Sequence, residues 1–138
     1  MAKFHSLEEA QAYFQGDRFA SGNGITLEAL SEERSAAGMV LRDNHRNALG
    51  GVMGGAIFTL ADFASAALSN HLHRPTVAQQ VSISYLNGVR GNRLTAAAVC
   101  LKNGRNNIVT RVTVEDDTGR KIAETVVTSF KLAERTPG

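Results

Sequence analysis

The first residue that could do chemistry is a carboxylate in an apolar setting. Asp62 lies in the run from Gly54 to Leu68, where Thr59, Asp62 and Ser65 are the only interruptions to glycine and apolar side chains. Burying an ionised carboxylate without a partner costs on the order of several kcal/mol. Such an Asp either hydrogen-bonds a neighbouring backbone, helps a subunit contact, or is a functional group of altered acidity. The second candidate is Gly54-Gly55, where that run begins. The first backbone N–H groups of a helix have no intrahelical acceptor, and the helix dipole places partial positive charge there. Without Cβ atoms, glycines let a ligand carbonyl come close, and the N–H groups could then stabilise its tetrahedral oxyanion. The plainer alternative is that these glycines only let the helix pack tightly on a sheet.

Gly55 and Asp62 are seven residues apart, so about 10 Å along one helix at 1.5 Å per residue. The two cannot act on one carbonyl within a single chain. Two such helices packed antiparallel across a two-fold axis would bring Gly55 of one against Asp62 of the other. If both residues act, the protein is at least a dimer.

Other chemistries find no support. There is no G-x-S-x-G elbow, and Cys100, the single cysteine, has no neighbouring histidine and no disulfide partner. The glycines at 50–55 are not followed by Lys-Ser/Thr, which excludes a nucleotide P-loop. A dinucleotide fingerprint requires a βαβ unit that this element order lacks. His71 and His73 have no third ligand nearby and read as exposed polar residues. No metal or cofactor is expected.

The elements that must position these groups follow from periodicity. Ser6-Leu7-Glu8-Glu9 reads as a capping box, with Ser6 accepting from the backbone and Glu9 reaching back. Leu7, Ala10, Tyr13 and Phe14 fall at helical spacing to about Gln15. Residues 25–31 and 35–42 alternate at period two, as strands do. The segment from Gly54 to Ser69-Asn70 has the composition of a helix and is apolar nearly all round, which implies burial on most sides. Thr59, Asp62, Ala66 and Ser69 share its one seam of small and polar groups. Period two returns after Pro75, from Val77 to Tyr85, and again at about 93–101, 107–116 and 121–131. Asn103-Gly104 predicts a type I′ hairpin, and Asp117-Thr118-Gly119 a second turn. Hairpins this short force antiparallel neighbours. Two strands, a buried helix and four antiparallel strands make an α+β fold in which the sheet can curl around the helix.

At 138 residues the chain fits one domain spanning 1–138, with residues 1–20 as a helical N-terminal extension. No apolar run approaches the roughly 18 residues of a membrane helix, and Glu8 and Glu9 stand where a signal peptide would turn apolar. A cytoplasmic location, away from any membrane, is expected. Residues 1–70 carry 5 basic and 8 acidic side chains, and residues 71–138 carry 10 and 5. This excess suits a polyanionic small ligand without forming the dense patch of a nucleic-acid binder.

The run NALGGVMGGAIFTLADFA (47–64) resembles the signature of the PaaI-type hot-dog thioesterases, approximately N-x-x-G-x-x-H-G-G-x-x-x-x-L-x-D. The resemblance continues through the strand ending at Tyr85, a Gly-Arg turn at 104–105 and a D-x-x-G-x-x-I-A-like end, over roughly 110 residues. It implies a hot-dog fold, an antiparallel sheet wrapped around one long helix, assembled as a homodimer or a tetramer of two dimers. It also implies hydrolysis of a small aryl- or medium-chain acyl-coenzyme A, with coenzyme A as part of the substrate rather than a cofactor. By position, Asp62 would orient or activate water or attack the thioester directly, and Asn47 would help hold that water or the carbonyl. The Gly54 N–H, supported by Gly55, would polarise the carbonyl, and the strand from Val77 to Tyr85 would lie beside its dimer mate.

Two residues depart from the pattern. Met53 stands where the family most often has histidine, and a thioether cannot donate a hydrogen bond. Ala78 replaces a frequent Ser or Thr, leaving Gln79 or Gln80 as the nearby polar groups. Met53, Thr59, Ala78 and Gln79 are the candidate substrate contacts, and Arg90, Arg93, Lys102 and Arg105 the candidates for the coenzyme A phosphates. The alternative is a hot-dog module that binds acyl-coenzyme A without turning it over, motivated by Met53.

Overall fold

The computed structural model describes residues 3–134, so residues 1–2 and 135–138 of the expected domain lie outside the described residues. In chain order the elements are α1 (Leu7–Phe14), α2 (Arg18–Gly22), β1 (Ile25–Leu30), β2 (Arg34–Val40), a 3-10 turn (Asp43–His45), α3 (Gly54–Leu72), β3 (Thr76–Tyr85), β4 (Arg93–Asn103), β5 (Asn107–Asp116) and β6 (Lys121–Lys131). The strands form one antiparallel sheet in the order β1-β2-β4-β5-β6-β3, and α3 packs against all six. This is the hot-dog arrangement.

Alternation on the strands builds the core. Leu94, Ala96 and Ala98 of β4, Ile108, Val112 and Val114 of β5, and Ile122 and Val127 of β6 are buried. Against them α3 sets Leu60, Ala61, Ala64, Ala67 and Leu68, and the alanines let the helix axis approach the sheet. The hydroxyls of Ser35, Ser65 and Thr110 inside this contact are satisfied, whereas that of Thr125 on β6 is buried with no partner among the described residues. The Ser35 hydroxyl donates to the Ala64 carbonyl at 2.6 Å, and the Ser65 and Thr110 hydroxyls bond at 2.8 Å.

Several expectations need correction. The helix runs two residues past Asn70, to Leu72. It is also less enclosed than its composition implies, because Thr59, Asp62 and Ala66 are half-buried along a seam its own sheet does not cover, while Ser69 is buried. Ser6 does accept from the Glu9 N–H, at 3.1 Å, but Glu9 reaches back to the N–H of His5, one residue beyond the cap. The short helix α2 carries no periodic signal of its own in the sequence. Neither Asn103 nor Gly104 takes a positive φ, so the type I′ turn is absent; residues 104–106 form a longer connection, closed by Gly104 N–H donating to the Asn107 carbonyl at 2.8 Å. His71 is buried rather than exposed, stacked on Phe4 and accepting the Phe4 N–H at Nδ1. His45, in a loop that reads as polar, is buried too.

The β5–β6 turn does hold as expected, with Gly119 at φ 83°. Its organiser is Asp116. One carboxylate oxygen accepts the N–H groups of Arg90 and Gly91 at 2.9 and 3.1 Å, and the other accepts those of Thr118 and Arg120 at 3.0 and 3.1 Å. Burial alone would raise the pKa of this group, but the Thr118 hydroxyl and the backbone donors outweigh it and hold the carboxyl well below the usual range. Asp116→Ala should therefore lower unfolding stability by about 3 kcal/mol in a urea titration, through donors left unpaired in two loops. Because the folded value is depressed, the wild-type advantage is present above the unfolded value of about 3.9 and is lost as pH falls from there through the folded one.

Candidate active site

The site is built around the start of α3. Met53 is the N-cap in extended conformation, and its N–H is tied to the His45 carbonyl at 2.8 Å. His45 is locked in turn. Its Nδ1 accepts the Arg42 N–H at 3.0 Å, so Nε2 carries the proton and donates to the Asn23 carbonyl at 2.9 Å. No sequence signal singles out this histidine, because its role is backbone anchorage.

Ala56 and Ile57 turn their N–H groups to the Met53 carbonyl. The N–H groups of Gly54 and Gly55 have no acceptor among the described residues and remain available. The two glycines differ. A Cβ on Gly54 would meet the Tyr85 ring at 3.3 Å, and the Tyr85 hydroxyl donates to the Gly54 carbonyl at 3.1 Å. A Cβ on Gly55 would find only Met53 Cγ, at 3.9 Å. Packing within the chain accounts for the first glycine and leaves the second unexplained.

Asn47 sits in the exposed loop before the helix. Its Oδ1 accepts from Leu49 and Gly51 at 3.0 and 3.2 Å, which orients the amide, and its Nδ2 donates to no described group. Asp62 forms neither a hydrogen bond nor an ion pair among the described residues. Burial raises its pKa above the ordinary 3.8, and the negative charge of Asp17 adds to the shift. A half-buried carboxylate with no cation partner and weakened acidity is poised to take up a proton.

Thr59 lies one turn before Asp62 and donates its hydroxyl to the Gly55 carbonyl at 2.8 Å. Met53 is 52% exposed at the helix start. Ala78 and Gln79 are exposed on β3, beside a register shift, and Gln79 accepts from Asn107 Nδ2 at 3.3 Å. The four basic candidates do not come together within one chain. Arg90 and Arg93 stand at the start of β4, Lys102 and Arg105 at its far end, about 30 Å away at 3.3 Å per residue. Arg93 is also engaged in an ion pair with Glu28. Among the described residues no group of His, Cys, Asp and Glu side chains comes together that could hold a metal ion.

Residues 49–123, over half of the chain, match the model of the thioesterase superfamily. The chain belongs to the thioesterase superfamily. It is 30% identical over 137 residues, 98% of this chain and 89% of the relative, to a putative esterase of Archaeoglobus fulgidus. A mutant form of the phenylacetic acid degradation protein PaaI of Thermus thermophilus superposes with a TM-score of 0.79, at 28% identity over 84% of this chain and all of that one. A Streptococcus mutans protein bound to acetyl CoA gives 0.76, at 26% identity over 81% of this chain and 91% of that one. This thioesterase-superfamily chain is thus a hot-dog protein of the PaaI type, and its family supports hydrolase activity. Among the described residues no helix is long and apolar enough to cross a membrane.

Proposed function

We propose that this protein hydrolyses the thioester of a small aryl- or medium-chain acyl-coenzyme A, at two equivalent sites of a homodimer. The observation that carries the reading is the pairing of free donors at Gly54 and Gly55 with an unpartnered carboxylate of raised pKa on the same helix. Both lie on one α3, too far apart to share a carbonyl, so the partner subunit's Asp62 completes the site. The β3 edge supports that assembly. It is ten residues long, ends the sheet, and is largely exposed, whereas the opposite edge strand β1 is packed by α1 and α2. An open edge of this length is a template for pairing with a second copy. Antiparallel β3–β3 pairing sets the Lys102–Arg105 end of one subunit beside the Arg90 end of the other, so basic groups separated in one chain flank one phosphate-bearing ligand. Two such dimers form the tetramer that the family resemblance implies, and the reaction takes place in the cytoplasm.

In the reaction the Gly54 and Gly55 N–H groups hold the thioester oxygen. Asp62 takes a proton from water as the water oxygen bonds to the carbonyl carbon, and the oxyanion forms against the two donors. Collapse breaks the C–S bond, and the proton on Asp62 passes to the departing thiolate, giving a carboxylic acid and free coenzyme A. Asn47, whose Nδ2 has no partner among the described residues, holds the water or the carbonyl oxygen. The step requires neither metal nor covalent cofactor.

Thiol release from a panel of acyl-coenzyme A thioesters, followed with Ellman's reagent, tests the reading. Tight binding of the panel with no thiol released would replace it by the binding-module alternative, which Met53 favours. Met53→His bears on the same point. The side chain is exposed and makes no capping bond, so the variant should fold and keep its turnover or raise it, by at most the roughly 100- to 1,000-fold that one oxyanion donor supplies. Misfolding of that variant would show a helix start packed differently from its relatives.

A further inference from the structure

Two cavities of similar size flank the start of α3, and their chemistry differs. One, of about 450 Å³, lies on the Gly54 side, between Tyr85 and the loop Leu86–Val89. The other, of about 440 Å³, lies on the Gly55 side, lined by Phe19, Met39, Met53, Phe58 and Thr59. Gly54 borders the first and Gly55 the second, so the helix start with its two free N–H groups lies between the cavities.

The second cavity is apolar apart from Asn44 at its exposed rim, whose amide has no partner among the described residues. Thr59 and His45, which border it, have spent their polar groups: the Thr59 hydroxyl on the Gly55 carbonyl, both His45 ring nitrogens on Arg42 and Asn23. The Asn23 amide nitrogen is bound to the Phe19 carbonyl at 2.8 Å. Met39 closes the floor at 1% exposure, whereas Phe19 stands 70% exposed at the side. A phenyl ring left in water forgoes about 2 kcal/mol of burial, yet its backbone is held firmly. Asp17 caps α2 through the Ala20 N–H at 3.0 Å, and Asn23 bonds the Phe19 carbonyl from both its side chain and its backbone. The first cavity is also largely apolar, with Val52, Ile57, Leu86 and Val89 in its lining and the Asn87 amide engaged by Lys121 and Arg120, but its exposed loop leads to Arg90, where the cation suits the phosphate-terminated arm.

We infer that the hydrocarbon of the acyl group enters the Phe19–Met39–Met53–Phe58 groove while the coenzyme A arm leaves past Tyr85, and that Phe19, carried by α2, sets the upper limit of acyl length. This rests on the thioesterase reading above and adds the orientation of substrate and the residue that selects it.

The test is kcat/KM across straight-chain acyl-coenzyme A thioesters from acetyl to palmitoyl, for wild type, Phe19→Ala and Phe19→Trp, together with dissociation constants for the matching non-hydrolysable thioethers. Phe19 is exposed, so both variants should fold. Phe19→Ala should raise kcat/KM about tenfold for the first chain lengths that wild type rejects, the order of discrimination that hydrophobic pockets provide. Phe19→Trp should move the limit to shorter chains. The thioether affinities should move with them while that of free coenzyme A stays constant. Wild-type hydrolysis with a length profile unmoved by either variant would overturn the inference and leave the enzyme reading standing. Thioether affinities that respond to Phe19, without thiol release by any form, would sustain the groove and remove the hydrolysis. Thioethers binding no better than free coenzyme A would overturn the groove.

Discussion

Asp62→Asn is expected to lower kcat by at least two orders of magnitude, the scale of a lost general base, in a protein that folds and gains stability at neutral pH. The two effects share a cause. Burial, assisted by Asp17, raises the Asp62 pKa above its ordinary 3.8, so the folded state holds this proton more tightly than the unfolded chain. Stability then falls as pH rises from the unfolded value through the raised folded one, and at neutral pH the ionised carboxylate is a net cost that asparagine removes. Thiol release and thermal melting at pH 7 read the two quantities on one preparation. The raised pKa also places the acid limb of the wild-type kcat/KM profile above the range of an ordinary aspartate, because the base must be ionised to accept a proton. A variant with near-wild-type turnover would take Asp62 out of the mechanism. One that melts earlier would make it a packing residue.

Gly55→Ala should cost about 100- to 1,000-fold in kcat/KM with no loss of stability, the order of a lost oxyanion donor. The chain itself has room for the methyl group, whose only close neighbour is Met53 Cγ at 3.9 Å; what it obstructs is the approach of a carbonyl. Gly54→Ala is the contrast, since its Cβ falls 3.3 Å from the Tyr85 ring and must displace it, so that variant should lose stability as well. Mixing Gly55→Ala with Asp62→Asn and allowing subunits to exchange tests the two-subunit site. Half of the sites in each mixed dimer pair an intact Gly55 with an intact Asp62, and half of the dimers are mixed. Activity should recover to about a quarter of wild type under two-fold symmetry. No recovery above the parent variants, with exchange verified by mass, would place both groups in one chain.

Much of this was legible from local pattern. Period two along β4, β5 and β6 marked the strands because one face of each is buried against α3, and alanine and leucine composition marked α3 itself. Asp62 stood out because a carboxylate in an apolar run is costly wherever the chain goes. If Gly55 and Asp62 act on one carbonyl, their spacing by itself requires a second subunit, since helix rise is a constant. Asp117-Thr118-Gly119 announced its turn through a glycine that takes φ 83°.

Tertiary structure decided what depends on distant neighbours. Asn103-Gly104 has the composition of a tight turn, but pairing of Asn103 with Ile108 leaves the strands joined by a longer connection, and the glycine keeps an ordinary φ. His71 and His45 carry no periodic signal, and each is buried with its ring bound by a remote backbone group, Phe4 in one case and Asn23 in the other, where the neighbouring Arg42 N–H binds the second ring nitrogen. The difference between Gly54 and Gly55 is invisible in a pair of identical letters; it comes from Tyr85, far along the chain from Gly54. The basic residues read as one phosphate-binding set stand at opposite ends of β4, because a strand of eleven residues carries its ends far apart. Sequence pattern determines which groups are costly to bury and how far apart a helix or strand must hold them. Only the packed sheet and helix decide which of those groups find a partner, and which, like Asp62 and the Gly55 N–H, are left without one.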